Sequence, residues 1–205
     1  MLTTVATVTL RILLFRAGPQ DLPYAPTLTR LLIPLALLAN FALAAVSLPP
    51  PLAALSSAMG VLGLALSSRT LLRLRKMENR YLQTFHALLL TGAVASLATI
   101  APLSEVMPDM IKLFQHPELL EQKPESLDLP SGTMFLLGML MLWNFVVSAH
   151  IYRQAAELSS FASIAVAMLI SVALQLFVSA TTSVFGSLLG LLPLAGSSGV
   201  PAVGG

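Results

Sequence analysis

Five stretches of this chain are apolar, free of Asp, Glu, Lys and Arg, and close to the length that crosses a bilayer. They are LLIPLALLANFALAAVSL (31–48), LAALSSAMGVLGLALSS (52–68), YLQTFHALLLTGAVASLATIAPL (81–103), TMFLLGMLMLWNFVVSAHIY (133–152) and a fifth over 160–182. A transmembrane helix needs about 20 apolar residues at about 1.5 Å per residue. The expected fold is therefore all-α, a polytopic transmembrane bundle of about five spans. Only 10% of residues are charged and the mean hydropathy is +0.86, whereas a soluble domain carries about 25% charged residues. Lipid is the natural solvent for such a chain.

Residues 1–28 stand apart. MLTTVATVTLRILLFR is apolar but short, and Arg11 and Arg16 sit near its end. This favours an amphipathic helix lying in the interface, with a sixth span as the alternative. It lacks the basic start of a secretory signal, so the first true span is expected to act as an uncleaved insertion signal. AGPQDLPYAP (17–26) reads as a stiff, polar connector. The transmembrane domain is expected over 29–190 and a small, flexible tail over 191–205.

With the N-terminus in the cytoplasm, nine basic residues lie inside: Arg11, Arg16, Arg30, Arg69, Arg73, Arg75, Lys76, Arg80 and Arg153. Only Lys112 and Lys123 lie outside. This is a strong positive-inside bias, and it puts the C-terminus outside. A bacterial inner membrane is the expected location. Segment 104–132 becomes an outer loop with a net charge of −4. Within it Met107, Met110, Ile111 and Phe114 recur at helical spacing and form one apolar face after a Ser104 cap. That face could dock an outer partner, rest on the bilayer or cover the bundle mouth. On the inner side Arg69, Arg73, Arg75, Lys76 and Arg80 could meet anionic lipid headgroups, each worth about 1 kcal/mol, or serve topology alone.

No charged residue lies deep in a span, so the polar residues there are uncharged. Asn40, Thr91, Trp143, Asn144 and Gln175 are the candidates. They could form one midplane cluster that binds a substrate or ion, or act as interhelical hydrogen-bonding groups worth about 0.6 kcal/mol each. Ser56-x-x-x-Gly60, Gly63-x-x-x-Ser67 and Gly92-x-x-x-Ser96 predict close helix approach, within or between chains. His86 and His150 fall towards the cytoplasmic ends of their spans, with no carboxylate or thiol to complete a metal site. The absence of cysteine excludes disulfide and thiol chemistry, and a net charge of +2 gives no reason to expect nucleic acid. No nucleophile–base pair or paired carboxylate appears at membrane depth, so neither an enzyme nor a cofactor is expected.

The five spans, short links, and the segments RILLFRAGPQDLPYAPTLTR, YLQTFHALLLTGA and LWNFVVSAHIYRQAAELS together resemble the Yip family of Ypt/Rab-interacting membrane proteins and its bacterial relatives. The resemblance covers about residues 10–185 and implies a fold more than a function, because the bacterial relatives mostly carry no assigned activity; the long polar N-terminal tail of the eukaryotic members is not seen in this sequence, so the resemblance does not extend to GTPase binding. The leading expectation is a non-enzymatic scaffold, adaptor or accessory subunit that packs with itself or another membrane protein, in contact with lipid. The alternative is a small transporter or channel built on the midplane cluster. A third reading is an interfacial lipid-handling protein using 1–16 and 69–80.

Overall fold

The computed structural model describes residues 2–115 and 130–190, and among these there is no β-strand. Six α-helices follow in order: α1 (Leu2–Leu13), α2 (Pro26–Ala44), α3 (Pro50–Leu74), α4 (Tyr81–Gln115), α5 (Ser131–Ala156) and α6 (Ser160–Leu188). Helices α2 to α6 are each long and apolar enough to cross a membrane. The chain is an integral membrane protein, with five such helices among the described residues. Helix α1 has 12 residues and rises only about 18 Å, short of a sixth span.

Prolines set several boundaries. Helix α2 begins at Pro26 and α3 at Pro50, where a ring-fixed φ favours the first turn and the missing N–H costs nothing. The first span thus lies earlier than hydropathy alone places it, and 45–49 make the tight link to α3. A larger difference concerns α4. The expected break at Ser104 does not occur. The helix runs on for 35 residues with Pro102 and Pro108 inside it. Each proline removes one i→i−4 bond, but tertiary contacts hold the extension in place. Pro102 and Val106 are buried, and Thr133 of α5 donates to Glu105 Oε2 at 3.0 Å.

The spans form a ring in the order α2–α3–α6–α5–α4, each packed on its neighbours, with α3 also touching α4. The apolar core lies towards the end that carries the basic links and is built on Phe85, Leu88, Leu89, Val147 and Ile151. Val5, Val8, Ile12 and Leu13 of α1 belong to this core. Spacings of three and four put them on one face of α1, which rests on α4 and α5. The connector is not a solvated strut. Ala17, Gly18, Pro19 and Leu22 are buried. His150 Nε2 donates to the Ala17 carbonyl at 3.0 Å, and Gln83 Nε2 donates to the carbonyls of Gln20 and Leu22 at 3.1 and 2.6 Å.

At the same end Arg75 and Arg80 close the C-terminus of α5. Arg75 Nε donates to the Ala156 carbonyl at 3.2 Å, and Arg80 Nη1 reaches the carbonyls of Gln154 and Ala155, both at 3.4 Å. These are last-turn carbonyls with no helical partner, and they lie at the negative end of the helix dipole.

Candidate functional site

A half-open cavity of about 350 Å³ is walled by residues from all five spans, and Ser171 and Gln175 on its α6 side are exposed. Asn40 comes from α2, Asn144 from α5 and Gln175 from α6. Counted along their helices, all three lie roughly 20 Å from the basic end of the bundle. Three of the five midplane candidates thus share one space. Thr91 and Trp143 do not. The Thr91 hydroxyl is buried and turns back on its own helix, donating to the Ala87 carbonyl at 2.8 Å. Trp143 is half-buried against the apolar core.

The wall also holds polar groups that hydropathy and residue type did not single out. Ser56 and Ser57 line it from α3, Ser96 from α4, Ser148 and Tyr152 from α5, and Ser171 from α6. Their spacing carried a signal. Asn144, Ser148 and Tyr152 recur every fourth residue along α5, and Ser171 and Gln175 do so along α6, each set forming one polar stripe.

The glycines explain why the space exists. Gly60 and Gly92 line the cavity, and an added Cβ at either would meet nothing within 4 Å. Ser56-x-x-x-Gly60 and Gly92-x-x-x-Ser96 therefore open a void instead of bringing helices together. Only Gly63 serves close approach, because a Cβ there would collide with Leu174 of α6.

Several hydrogen bonds order the wall. Ser96 Oγ donates to Asn40 Oδ1 at 2.8 Å, Ser57 Oγ to the Leu37 carbonyl at 2.7 Å, and Ser148 Oγ to the Asn144 carbonyl at 2.9 Å. Gln175 Nε2 donates to Ser179 Oγ at 3.3 Å. Other groups stay unused among the described residues. The Asn40 NH₂, the Asn144 side-chain amide, the hydroxyls of Ser56 and Ser171, and the Tyr152 hydroxyl have no protein partner. Tyr152 is only 2% exposed. None of these groups is sealed off, since the buried side-chain atoms without a partner among the described residues are His86 Nδ1 and Thr182 Oγ1, away from this wall; each is free to meet water or a polar occupant. The wall offers donors and acceptors but no carboxylate, ammonium or guanidinium. An ion would find no full counter-charge there, whereas a neutral polar molecule would find hydrogen bonds.

The other sequence candidates lie elsewhere. Arg75 and Arg80 are engaged at the α5 terminus, and Arg80 Nη2 also pairs with Glu157 at 2.6 Å. Arg73 pairs loosely with Glu78 at 3.8 Å, while Arg69 and Lys76 are exposed. Met107 and Met110 are half-buried and Ile111 is exposed; the Phe114 side chain lies outside the described residues. So do residues 116–129 of the expected outer loop and the tail 191–205. His86 and His150 do not form a pair. His86 Nε2 meets Thr29 Oγ1 at 2.8 Å, and His150 binds the connector. No cluster of metal-ligating side chains occurs among the described residues.

No family model matches the chain, and neither a curated protein nor a solved structure matches it.

Proposed function

We propose that this membrane protein is a small carrier or channel for an uncharged polar solute, with the five-span cavity as its binding site. The observation that supports this most directly is the set of unpartnered amide and hydroxyl groups from different helices facing one void. Asn144 and Asn40 supply amides that both donate and accept, and Tyr152 supplies a hydroxyl at the end of the cavity nearer the basic links. Glycines at 60 and 92 keep the space open. A volume of about 350 Å³ suits a small molecule and not a macromolecule.

The scaffold reading drew on small-residue motifs as docking stripes. Within this chain only the Gly63 motif packs against another span, α6, while the Gly60 and Gly92 motifs border the cavity. A bacterial inner membrane, with the basic end in the cytoplasm, remains the location that the charge distribution supports. The Yip-like resemblance concerns the fold and favours neither role.

The chain has no cysteine, so single cysteines can be introduced at Asn40, Asn144, Ser148 and Gln175. A small water-soluble thiol reagent should label these positions in membranes and spare a control at Trp143. Absence of labelling at all four would end the proposal. Labelling that a panel of small neutral solutes slows would identify the solute class.

A further inference from the structure

We infer a binding site for one anionic glycerophospholipid at the basic end of the bundle, on the outside of the ring and separate from the five-span cavity. A groove of about 430 Å³ is lined by residues of α2, α3 and α4. Its walls are apolar: Ile33 and Leu37 from α2, Leu62 and Ala65 from α3, Tyr81 and Phe85 from α4. The two α4 rings are stacked, with centroids 5.7 Å apart.

The mouth of this groove is cationic. Arg69 continues the groove-lining stripe of α3 one turn beyond Ala65, since residues 58, 62, 65 and 69 share a helix face. Arg30 stands one turn before Ile33 on α2, on the opposite bank. Both arginines are exposed, and neither forms an ion pair among the described residues. The described carboxylates at this end are committed elsewhere. Asp21 accepts from the Gly18 N–H, Glu78 faces Arg73, and Glu157 faces Arg80.

Two uncompensated guanidiniums above an apolar trough, at the level where a span leaves the hydrocarbon, match the two halves of a phospholipid. The acyl chain lies along Leu37, Leu62 and Phe85, and the phosphate sits between Arg30 and Arg69 beside the Tyr81 hydroxyl. Guanidinium forks are suited to bridging phosphate oxygens. A zwitterionic lipid would bring its own cation to the same mouth and gain less.

The test uses the full chain, purified in mild detergent, with native mass spectrometry reading bound phosphatidylglycerol against phosphatidylcholine. The wild type should retain phosphatidylglycerol in preference. Arg30→Gln/Arg69→Gln should reduce that preference by about thirtyfold, as expected if each arginine contributes what a basic residue does at an anionic surface. Arg73→Gln/Lys76→Gln removes the same charge from the same end and should leave the preference nearly unchanged. Ala65→Trp fills the trough without touching charge, and it should expel the lipid. Circular dichroism checks that each variant keeps its helix content, and Ala65→Trp supplies an independent readout should the arginine pair misfold. An equal loss in both charge variants would overturn the site, because the effect would then be general surface attraction. Displacement of the lipid by excess glycerol 3-phosphate would also overturn it, since the trough would then contribute nothing.

Discussion

Ser96 on α4 donates a 2.8 Å hydrogen bond to the side-chain carbonyl of Asn40 on α2. That one contact satisfies the acceptor half of the amide and leaves its NH₂ facing the cavity. The two residues therefore have separable roles. Ser96→Ala should cost about 0.6 kcal/mol, the average for an interhelical hydrogen bond in a membrane, and should lower the melting temperature in detergent only slightly. Asn40→Leu removes the NH₂ as well and should abolish solute protection of a cysteine placed at Gln175. If Ser96→Ala abolished that protection equally, Asn40 would be acting through its orientation and not through its amide.

The three inward-facing glycines should respond in opposite ways to one methyl group. Gly60→Ala and Gly92→Ala place a Cβ in open space, and a helix interior gains up to about 1 kcal/mol from replacing Gly by Ala. Both should be as stable as the wild type or slightly more so. Gly63→Ala brings its Cβ against the terminal methyl of Leu174 and should destabilise by about 1 kcal/mol, the low end for overpacking, because that methyl ends a flexible side chain that can turn aside. Thermal unfolding of the three variants in one detergent gives the comparison. Gly92→Leu extends the test to function. It should fill the cavity and block thiol labelling at Asn144→Cys while leaving the fold intact.

Arg80 serves the α5 terminus in two ways, through carbonyls and through Glu157. The Arg80–Glu157 pair is partly exposed, at 36% and 58%, so the ion pair itself is worth at most about 1 kcal/mol. Glu157 carries a positive φ of 51°, a conformation that glycine adopts without cost and other residues do not. Glu157→Gly should therefore be neutral or stabilising despite losing the pair. Arg80→Ala should destabilise by about 1–2 kcal/mol, because last-turn carbonyls lose a cationic donor. Unfolding measured with both single variants and the double variant separates the two contributions.

The spans were legible in the sequence because hydropathy over some 20 residues integrates many weak preferences, and lipid leaves the backbone few alternatives to helix. The extension of α4 was not. Ser104, Pro102 and Pro108 are each local signals for a boundary, and what accompanies the continuous helix, the burial of Pro102 and Val106 and the Glu105–Thr133 hydrogen bond, depends on residues distant in sequence. The cavity was legible in part. Amides are rare in spans, so Asn40, Asn144 and Gln175 drew attention. One residue step turns a helix by about 100°. That step puts Thr91 and Trp143 on other faces than their neighbours Gly92 and Asn144, which line the void. Depth can be counted from a sequence; rotation about the helix axis requires knowing what packs on the other sides. The glycine motifs show the same limit, since a missing side chain admits either a neighbouring helix or a hole.

The connector offers a last test, because its position depends on a few polar contacts made by spans. His150 holds the Ala17 carbonyl and meets the Phe15 ring edge-on, with centroids 5.5 Å apart. Gln83 holds the carbonyls of Gln20 and Leu22. Phe15 sits at a positive φ of 59°, so the turn after α1 carries backbone strain that these contacts offset. His150→Leu keeps the bulk and removes the donor. It should release the turn and speed tryptic cleavage after Arg16, while the spans stay protected in the detergent micelle. Gln83→Leu should act in the same direction, and the double variant should exceed either alone. Cleavage rates unchanged in all three would mean that Val5, Val8, Ile12 and Leu13, buried in the apolar core, hold α1 and its connector without help from the polar contacts.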